Sequence, residues 1–159
     1  MPPPNSCPHC GHDIEGGPHP AEGSGPPPGP RLTVDIVIEA EPESVVLVRR
    51  RFPPLGWALP GGFVDLGETV EAAARREARE ETSLDVTDLE PFRVYSEPSR
   101  DPRGHTVSVV FMARANGRPT GGDDAAEARV FGRGSLPQDI VFDHRAILDD
   151  VFKWQDERS

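Results

Sequence analysis

The sequence contains no long apolar run and very little cysteine. No stretch of its 159 residues approaches the roughly 18–20 apolar residues that a bilayer-spanning helix needs, so we expect no membrane partner. The two cysteines, Cys7 and Cys10, lie too close together to staple a secreted scaffold. The N-terminus begins Met-Pro-Pro-Pro and lacks the charged and apolar regions of a signal peptide. We therefore expect a cytoplasmic protein.

The chain has fewer basic residues than acidic residues. Lysine and arginine number 17 against 27 aspartates and glutamates, which gives a formal net charge of −10. Such a charge favours solubility and disfavours attraction to nucleic acid or to anionic membranes. It also opposes a phosphate-bearing substrate, unless a cation or a local group of arginines reverses the sign at the site. We expect no nucleic-acid partner.

Proline and glycine are concentrated at the N-terminus. Residues 1–30 contain ten prolines and six glycines, which together make up over half of that stretch. This composition is typical of a flexible or polyproline-like arm. From Arg31 onward the composition is that of an ordinary folded protein. The sequence therefore predicts an arm over residues 1–30 and one globular domain over residues 31–155.

The arm contains a short metal-binding pattern. Cys7 and Cys10 have the C-x₂-C spacing of structural zinc sites, but such a site needs two more ligands. His9, His12 or His19 could supply them, or two chains could share one zinc ion. The alternative is a proline-rich tail with a free thiol pair.

The rest of the chain alternates between strand and helix patterns. Strands are expected at 32–40 and 44–50, as a hairpin, then as short segments near "LDV" and "PFRVYSEP", and at 105–115 and 127–133. Helices are expected from Thr69 to Thr82 and after Asp143, a candidate N-cap residue. This order predicts an α/β fold, in which a mixed sheet carries helices on its faces and is not a doubly wound parallel sheet.

The first predicted helix places three glutamates on one side. Glu77, Glu80 and Glu81 fall within about 100° of arc, where like charges repel by about 0.2–0.5 kcal/mol per pair. An exposed helix with salt bridges is one explanation, since glutamate–arginine pairs four residues apart also occur on it. A carboxylate cluster that binds a hard divalent cation is the other. The preceding "LPGGF" can bend sharply and bring backbone amides close to a ligand.

The segment "GGFVDLGETVEAAARREAREETSL" resembles the signature of the Nudix hydrolases. That signature is a glycine, five residues, a glutamate, seven residues, and then Arg-Glu-apolar-x-Glu-Glu-x-Gly-apolar. Eight of its nine defined positions match, and the exception is a serine where the family usually has glycine. We expect this serine to alter the local turn more than the chemistry. In order, the nine positions are Gly62, Glu68, Arg76, Glu77, Ala78, Glu80, Glu81, Ser83 and Leu84.

The resemblance implies a Nudix-type α/β/α sandwich with a mixed sheet. It also implies a hydrolase of a nucleoside diphosphate linked to another group, with Mg²⁺ as cofactor and Mn²⁺ as a substitute. Glu68 would orient the carboxylate cluster. The metal ligands it implies are Glu77, Glu80, Glu81 and Gly61, and the catalytic set it implies is Glu81, Glu80 and Arg76.

Three stretches outside the signature resemble the small prokaryotic ADP-ribose pyrophosphatases of this superfamily. They are "YSEPSRDPRGHTVSVVF", "GDDAAEARVF" and "LPQDIVFDHRAIL". The resemblance implies hydrolysis of ADP-ribose to AMP and ribose 5-phosphate, and by analogy a homodimer. The alternatives are hydrolysis of other nucleotide sugars, NADH or nucleoside triphosphates, or a Nudix-fold module that senses nucleotides without turnover.

Three arginines are candidates for binding the substrate. Arg50 faces opposite to its neighbours in a strand and could point at phosphate. Arg100 and Arg103 lie in a loop and could contact phosphate or ribose. The alternative for these two is an exposed loop in which Asp101 balances their charge.

The general base is less well defined by the sequence. Glu127 follows an acidic turn, and in this superfamily a carboxylate from such a loop often serves as an extra metal ligand or as the base. His105 and His144 are further candidates, although a structural role is favoured for each.

Overall fold

The computed structural model describes residues 28–159. The cysteine pair of the predicted zinc site therefore lies outside the described residues, as does almost all of the predicted arm. The elements are β1 (Arg31–Glu39), β2 (Ser44–Arg50), β3 (Trp57–Ala58), β4 (Gly61–Phe63), α1 (Val70–Thr82), β5 (Val86–Tyr95), β6 (Thr106–Ala115), β7 (Ala125–Gly132), a short 3₁₀ turn (Arg133–Ser135) and α2 (His144–Asp156).

The strands form two sheets. A four-stranded mixed sheet has the order β4-β1-β6-β5, in which β1 runs parallel to β6 and the other pairs are antiparallel. A three-stranded antiparallel sheet has the order β3-β2-β7. The predicted hairpin of β1 with β2 is therefore wrong. Both strands are interior strands with other partners on each side, and a local turn between two strands does not by itself pair them.

The sheet residues alternate between two hydrophobic cores. Val34, Ile36 and Ile38 of β1 pack in the core that contains α1, whereas Val37 and Val45 pack in the core that contains α2. This is the period of two expected for strands buried on both faces. The α/β/α sandwich predicted from the sequence is confirmed.

Helix α1 has nearly the predicted bounds. The hydroxyl of Thr69 accepts a hydrogen bond from the Ala72 backbone N–H (3.1 Å), which makes Thr69 the N-cap. The side of α1 that faces the sheet carries three fully buried alanines, Ala73, Ala74 and Ala78. With only methyl groups at these positions, the helix backbone lies close to the sheet.

Ser83 ends α1 in a left-handed conformation, with φ of 61°. This conformation favours glycine, the residue that the family signature has here. The Ser83 N–H donates to the Arg79 carbonyl (2.9 Å), and its hydroxyl accepts a hydrogen bond from Thr120 (2.8 Å). The turn therefore keeps its helix-ending geometry with a serine in place.

Helix α2 begins after Asp143, as predicted, but the Asp143 side chain makes no capping hydrogen bond. Its carboxylate binds Arg100 instead. The face of α2 that packs on the sheets consists of Ile147, Leu148, Val151 and Phe152.

Within residues 28–159, neither helix is long and apolar enough to cross a membrane.

We predict that Ala74→Leu lowers the free energy of unfolding by about 1–3 kcal/mol, because the added carbons must push α1 away from the sheet. Chemical denaturation would measure the change. Ala72→Leu is the matched control, since Ala72 is exposed on the same helix. Equal effects of the two substitutions would contradict close packing of α1 through its alanines.

Candidate active site

A cleft of about 300 Å³ lies where β1, β4, α1 and the loop before β6 meet. Its wall carries six carboxyl groups and three guanidinium groups, an unusual density of charge for one cavity. The acidic residues are Asp35, Asp65, Glu77, Glu81, Asp101 and Asp124, and the basic residues are Arg50, Arg100 and Arg103.

Two glutamates of α1 reach the cleft beside the glycine turn. The Gly61 N–H donates a 3.0 Å hydrogen bond to Oε2 of Glu81. At Gly62 the backbone lies against Glu77, and a Cβ there would stand 2.5 Å from its Oε1. A side chain at this position would displace the Glu77 carboxylate, so glycine lets the carboxylate stand directly against the turn. The turn and the helix therefore form one structural unit.

Arg76 links the carboxylates of this unit. Its guanidinium forms two hydrogen bonds with Glu68, from Nε to Oε1 (2.8 Å) and from Nη2 to Oε2 (3.0 Å). Nη1 donates to Glu77 (2.7 Å) and to Glu80 (3.1 Å), and Nη2 also donates to the Phe63 carbonyl (3.0 Å). The hydrogen bonds from Arg76 lower the pKa of Glu68 to about 2. One cation thus holds three carboxylates and the glycine turn.

The carboxyl groups of Glu81 and Glu77 hold protons more tightly than usual. Burial raises the pKa of Glu81 to about 8, with repulsion from Glu77 and Asp35 adding to the effect. Burial also raises the pKa of Glu77, and the attraction of Arg76 only partly opposes it. A bound cation would relieve the repulsion between these two carboxyl groups. It would therefore displace the protons that they otherwise hold at the edge of the cleft.

The donor set of this site fits Mg²⁺ chemistry. Among residues 28–159 there is no ready-made group of three or more metal-ligating side chains. Glu80 is half exposed, pairs with Arg76 and is not part of the cleft wall. However, Mg²⁺ in nucleotide sites commonly uses one or two carboxylates together with substrate phosphates. Glu77 and Glu81 provide such a pair of hard oxygen donors.

Arg50 and Arg103 both lie in the cleft wall. The Nε of Arg50 donates to the Pro54 carbonyl (2.8 Å), and its guanidinium lies 4.9 Å from the Phe142 ring centre. Arg103 binds Asp101 through two hydrogen bonds and also lies near Phe142, at 5.1 Å. The predicted balancing of Arg103 by Asp101 is present, and it is compatible with a position in the cleft.

Arg100 is not the solvent-exposed residue of the second interpretation, because it lines the cleft with a buried side chain whose donors bind acceptors of the protein. Its side chain is 4% exposed. Two donors bind the Asp143 carboxylate (2.8 and 2.9 Å), and others bind Thr106 (2.8 Å) and Asp35 (3.4 Å). A buried cation needs this many acceptors, so Arg100 cross-links β1 to the start of α2.

Glu127 is not brought to the glutamate cluster. It lies opposite Arg49 in the β2–β7 pair, and its carboxylate forms an ion pair with Arg129. Arg50, one residue further along β2, is the one that lines the cleft. From the same acidic turn, Asp124 lies in the cleft wall. The role expected for Glu127 stays a prediction, and Asp124 is the carboxylate of this loop that lines the cleft.

The two histidines have different surroundings. His105 is exposed, and its Nε2 lies 3.1 Å from the Ser96 carbonyl. His144 is buried in the wall of the cleft. Its Nδ1 accepts the Leu59 N–H (2.9 Å), and its Nε2 lies 3.3 Å from Asp35.

Asp35 is the site residue that the sequence analysis missed. Burial by itself would raise its pKa, but attraction to His144, hydrogen bonds from His144 and Ser108, and the charge of Arg100 more than offset this and lower the pKa. An acid in the middle of the apolar run "VDIVI" was a signal available in the sequence, because buried charges in strands require partners.

Residues 29–151 match the model of the NUDIX domain family. This is most of the chain, and it contains every element of the cleft described above. The chain belongs to the Nudix family. The family resemblance identified from the signature is thereby confirmed, and with it membership of a family of hydrolases.

Two curated Nudix relatives and one solved Nudix structure are informative. The chain is 44% identical over 128 residues to the ADP-ribose pyrophosphatase of Methanocaldococcus jannaschii, which covers 79% of this chain and 75% of that protein. It is 32% identical over 135 residues to an ADPR responsive transcriptional repressor, NtrR, of Acinetobacter baylyi, which covers 79% of this chain and 54% of the repressor. The chain thus spans only about half of the repressor's length.

The solved structure is the NUDIX domain of Shewanella oneidensis NrtR in complex with ADP ribose. It superimposes with a TM-score of 0.72 at 26% identity, and the match covers 80% of this chain and 90% of that domain.

We predict that the metal-free Nudix domain loses stability as the pH rises from about 5 to 8.5. The folded-state pKa of Glu81, about 8, lies above the ordinary value of 4.5. The contribution of the Glu81 carboxyl group to the free energy of unfolding is therefore fully present below pH 4.5 and is lost as the pH rises through 8. Melting temperatures in a chelating buffer would record this fall. Glu81→Gln should show a shallower fall, and identical pH profiles would contradict the assignment.

Proposed function

We propose that this protein is a Mg²⁺-dependent pyrophosphohydrolase that cleaves ADP-ribose to AMP and ribose 5-phosphate. Water adds across the P–O–P bridge: its oxygen bonds to one phosphorus, and the bridging oxygen leaves with the other. The observation that carries the proposal is the meeting of Glu77 and Glu81 with Arg50 and Arg103 in one cleft. Acidic and basic groups together suit a metal-bound diphosphate.

Similarity to known proteins supports ADP-ribose as the substrate. The archaeal relative is named an ADP-ribose pyrophosphatase, and the bacterial NUDIX domain with a similar fold was crystallised with ADP ribose. The three stretches of resemblance outside the signature lie around the loop before β6, around the turn before β7 and in the segment leading into α2, and each contributes residues to the cleft wall.

Glu77 and Glu81 would hold Mg²⁺ at the edge of the cleft, with Glu80 and Gly61 as further candidate ligands from the sequence. When bound, Mg²⁺ supplies the positive charge that neutralises the diphosphate and lowers the pKa of attacking water. The Gly61 N–H fixes the orientation of the Glu81 carboxylate. Arg76 keeps Glu77 in place during this chemistry, since Glu68 holds the guanidinium from its other side.

The arginines of the cleft act on the phosphates. Arg50 and Arg103 add positive charge to the cleft wall of a protein whose net charge is −10, which reduces the repulsion between protein and substrate at this place. Glu127 would take part only after its ion pair with Arg129 opens. We further propose a cytoplasmic enzyme that acts on a small nucleotide, with homodimer formation and zinc at Cys7 and Cys10 as additional proposals.

A second candidate function is nucleotide sensing without turnover. The similarity to an ADPR responsive repressor favours it. All four glutamates and the arginine of the signature are present, whereas a pure sensor would not need them. Enzyme and sensor differ in whether bound ADP-ribose is converted.

A turnover screen with Mg²⁺ tests the proposal. The panel contains ADP-ribose, NADH, ADP-glucose, GDP-mannose and nucleoside triphosphates, and the released products are identified by chromatography. We expect ADP-ribose to be cleaved fastest, with AMP as a product. Binding of ADP-ribose without conversion would support the sensor, and preference for another substrate would redirect the assignment within the family.

We predict that Glu81→Gln lowers kcat by about 10²–10⁴-fold with little loss of fold, because it removes a charged oxygen that metal or water requires. Steady-state kinetics and circular dichroism would measure both effects. Glu71→Gln is the matched control, since Glu71 is an exposed glutamate of the same helix. Near-normal turnover of Glu81→Gln would remove the carboxylate-cluster mechanism.

A further inference from the structure

His144 occupies a buried position at the first turn of α2 and contacts the segment that leads to the glycine turn. Its Nδ1 accepts the Leu59 N–H at 2.9 Å. A ring nitrogen that accepts a hydrogen bond carries no proton, so in the neutral ring the proton lies on Nε2. Nε2 faces Oδ1 of Asp35 at 3.3 Å. The ring is therefore fixed from both sides.

The segment from Leu59 to Gly61 is held against β1 on its other side. The Ile36 N–H donates to the Pro60 carbonyl (2.8 Å), and Gly61 pairs with Asp35 in the sheet. A Cβ on Gly61 would collide with the Val34 carbonyl and lie 2.7 Å from Oδ1 of Asp35. The path of this segment thus depends on β1 and on His144 together.

The end of the segment orients Glu81. The Gly61 N–H, two residues after Leu59, donates to Oε2 of Glu81 at 3.0 Å. Within residues 28–159, no other hydrogen-bond donor reaches this carboxylate. A shift of the segment would therefore leave Glu81 without a fixed orientation.

We propose that His144 is a positioning residue for hydrolysis, which acts by accepting the Leu59 N–H and so holding the Gly61 N–H on Glu81. It touches neither substrate nor metal in this scheme. The inference rests on the proposed function for its kinetic test but not for its structural test. The opposing interpretation is that His144 only satisfies the buried Asp35.

Two substitutions separate these interpretations. In His144→Asn, the amide oxygen stands near the position of Nδ1 and can accept the Leu59 N–H, but the side chain is too short to reach Asp35. In His144→Gln, the amide stands near the position of Nε2 and can donate to Asp35, but nothing accepts the Leu59 N–H. Each variant thus keeps one of the two contacts.

The first measurement is amide hydrogen exchange at Gly61 in the metal-free protein, by NMR. We expect exchange in His144→Gln to be at least about tenfold faster than in the wild type, with His144→Asn close to the wild type, since local opening governs exchange. If His144→Gln does not fold, His144→Ala is used in its place, because it removes the same acceptor. Unchanged protection of Gly61 in the variant that lacks the acceptor would overturn the proposal.

The second measurement is the steady-state kinetics of ADP-ribose hydrolysis. We expect kcat of His144→Gln to fall by about 10–100-fold, the usual effect of losing a partner that orients a metal ligand, while KM changes less than about threefold. His144→Asn should keep kcat within about threefold of the wild type on the same grounds. Equal losses in the two variants would overturn the proposal.

Tyr95→Phe is the control for a general loosening of α2. The Tyr95 hydroxyl donates to Asp150 of α2 at 2.8 Å, far along the helix from His144. We expect kcat to be unchanged, and a loss equal to that of His144→Gln would overturn the proposal. If the wild type converts none of the panel, the proposed function fails, and exchange at Gly61 alone decides the role of His144.

Discussion

The structure of the site depends on one guanidinium group. Arg76 contacts Glu68, Glu77 and Glu80 with bonds of 2.7 to 3.1 Å and also binds the Phe63 carbonyl. Without it, the like charges of one helix face would repel each other and the glycine turn would lose its anchor. With it, the negative charge that remains uncompensated is concentrated at the edge of the cleft. Arg76 thereby holds Glu77 beside Glu81, a carboxyl group that it does not contact, in the wall of the cleft.

A second polar network supports the cleft from beneath. Asp35, in the middle of an apolar strand, joins Arg100, Ser108 and His144, and Arg100 continues to Asp143. These groups are buried and hydrogen-bonded, and the described residues contain no buried side-chain nitrogen or oxygen atom without a partner. Such a network tolerates the loss of one member poorly, since the remaining charge is left without compensation. It ties β1, the loop before β6 and the start of α2 into one rigid support.

The sequence was sufficient for the features that depend on local periodicity or on a long motif. The bounds of α1 and the family itself were predicted from "GGFVDLGETVEAAARREAREETSL", and the sandwich architecture followed from the family resemblance. The pairing of β1 with β6 was not predictable, because the two partners lie about seventy positions apart with no turn to join them. The roles assigned to individual glutamates remain predictions.

Side-chain pairing explains why the surroundings of individual site residues could not be read from the sequence. Arg100 and Arg103 look alike in the sequence, yet one is buried among acceptors and the other lies at the edge of the cleft. The difference arises from Asp143 and Asp35, which lie 43 and 65 residues away from Arg100 along the chain. Similarly, Asp124 and Glu127 stand three positions apart, but Asp124 precedes β7 and lines the cleft, whereas Glu127 lies within β7 opposite Arg49. Composition and spacing contain no information on either choice.

The alanines beneath α1 have a consequence for how this protein can change. Because the helix rests on methyl groups, the distance between its backbone and the sheet determines where the carboxylates stand relative to Gly61 and Gly62. The buried alanines, which contact no substrate, thus help to determine the geometry of the site. A larger apolar residue in place of one of these alanines would still be removed from water, but it would move the acidic face of α1 away from the glycine turn. The spacing between α1 and the sheet therefore sets the geometry of the site as much as the residues that line the cleft do.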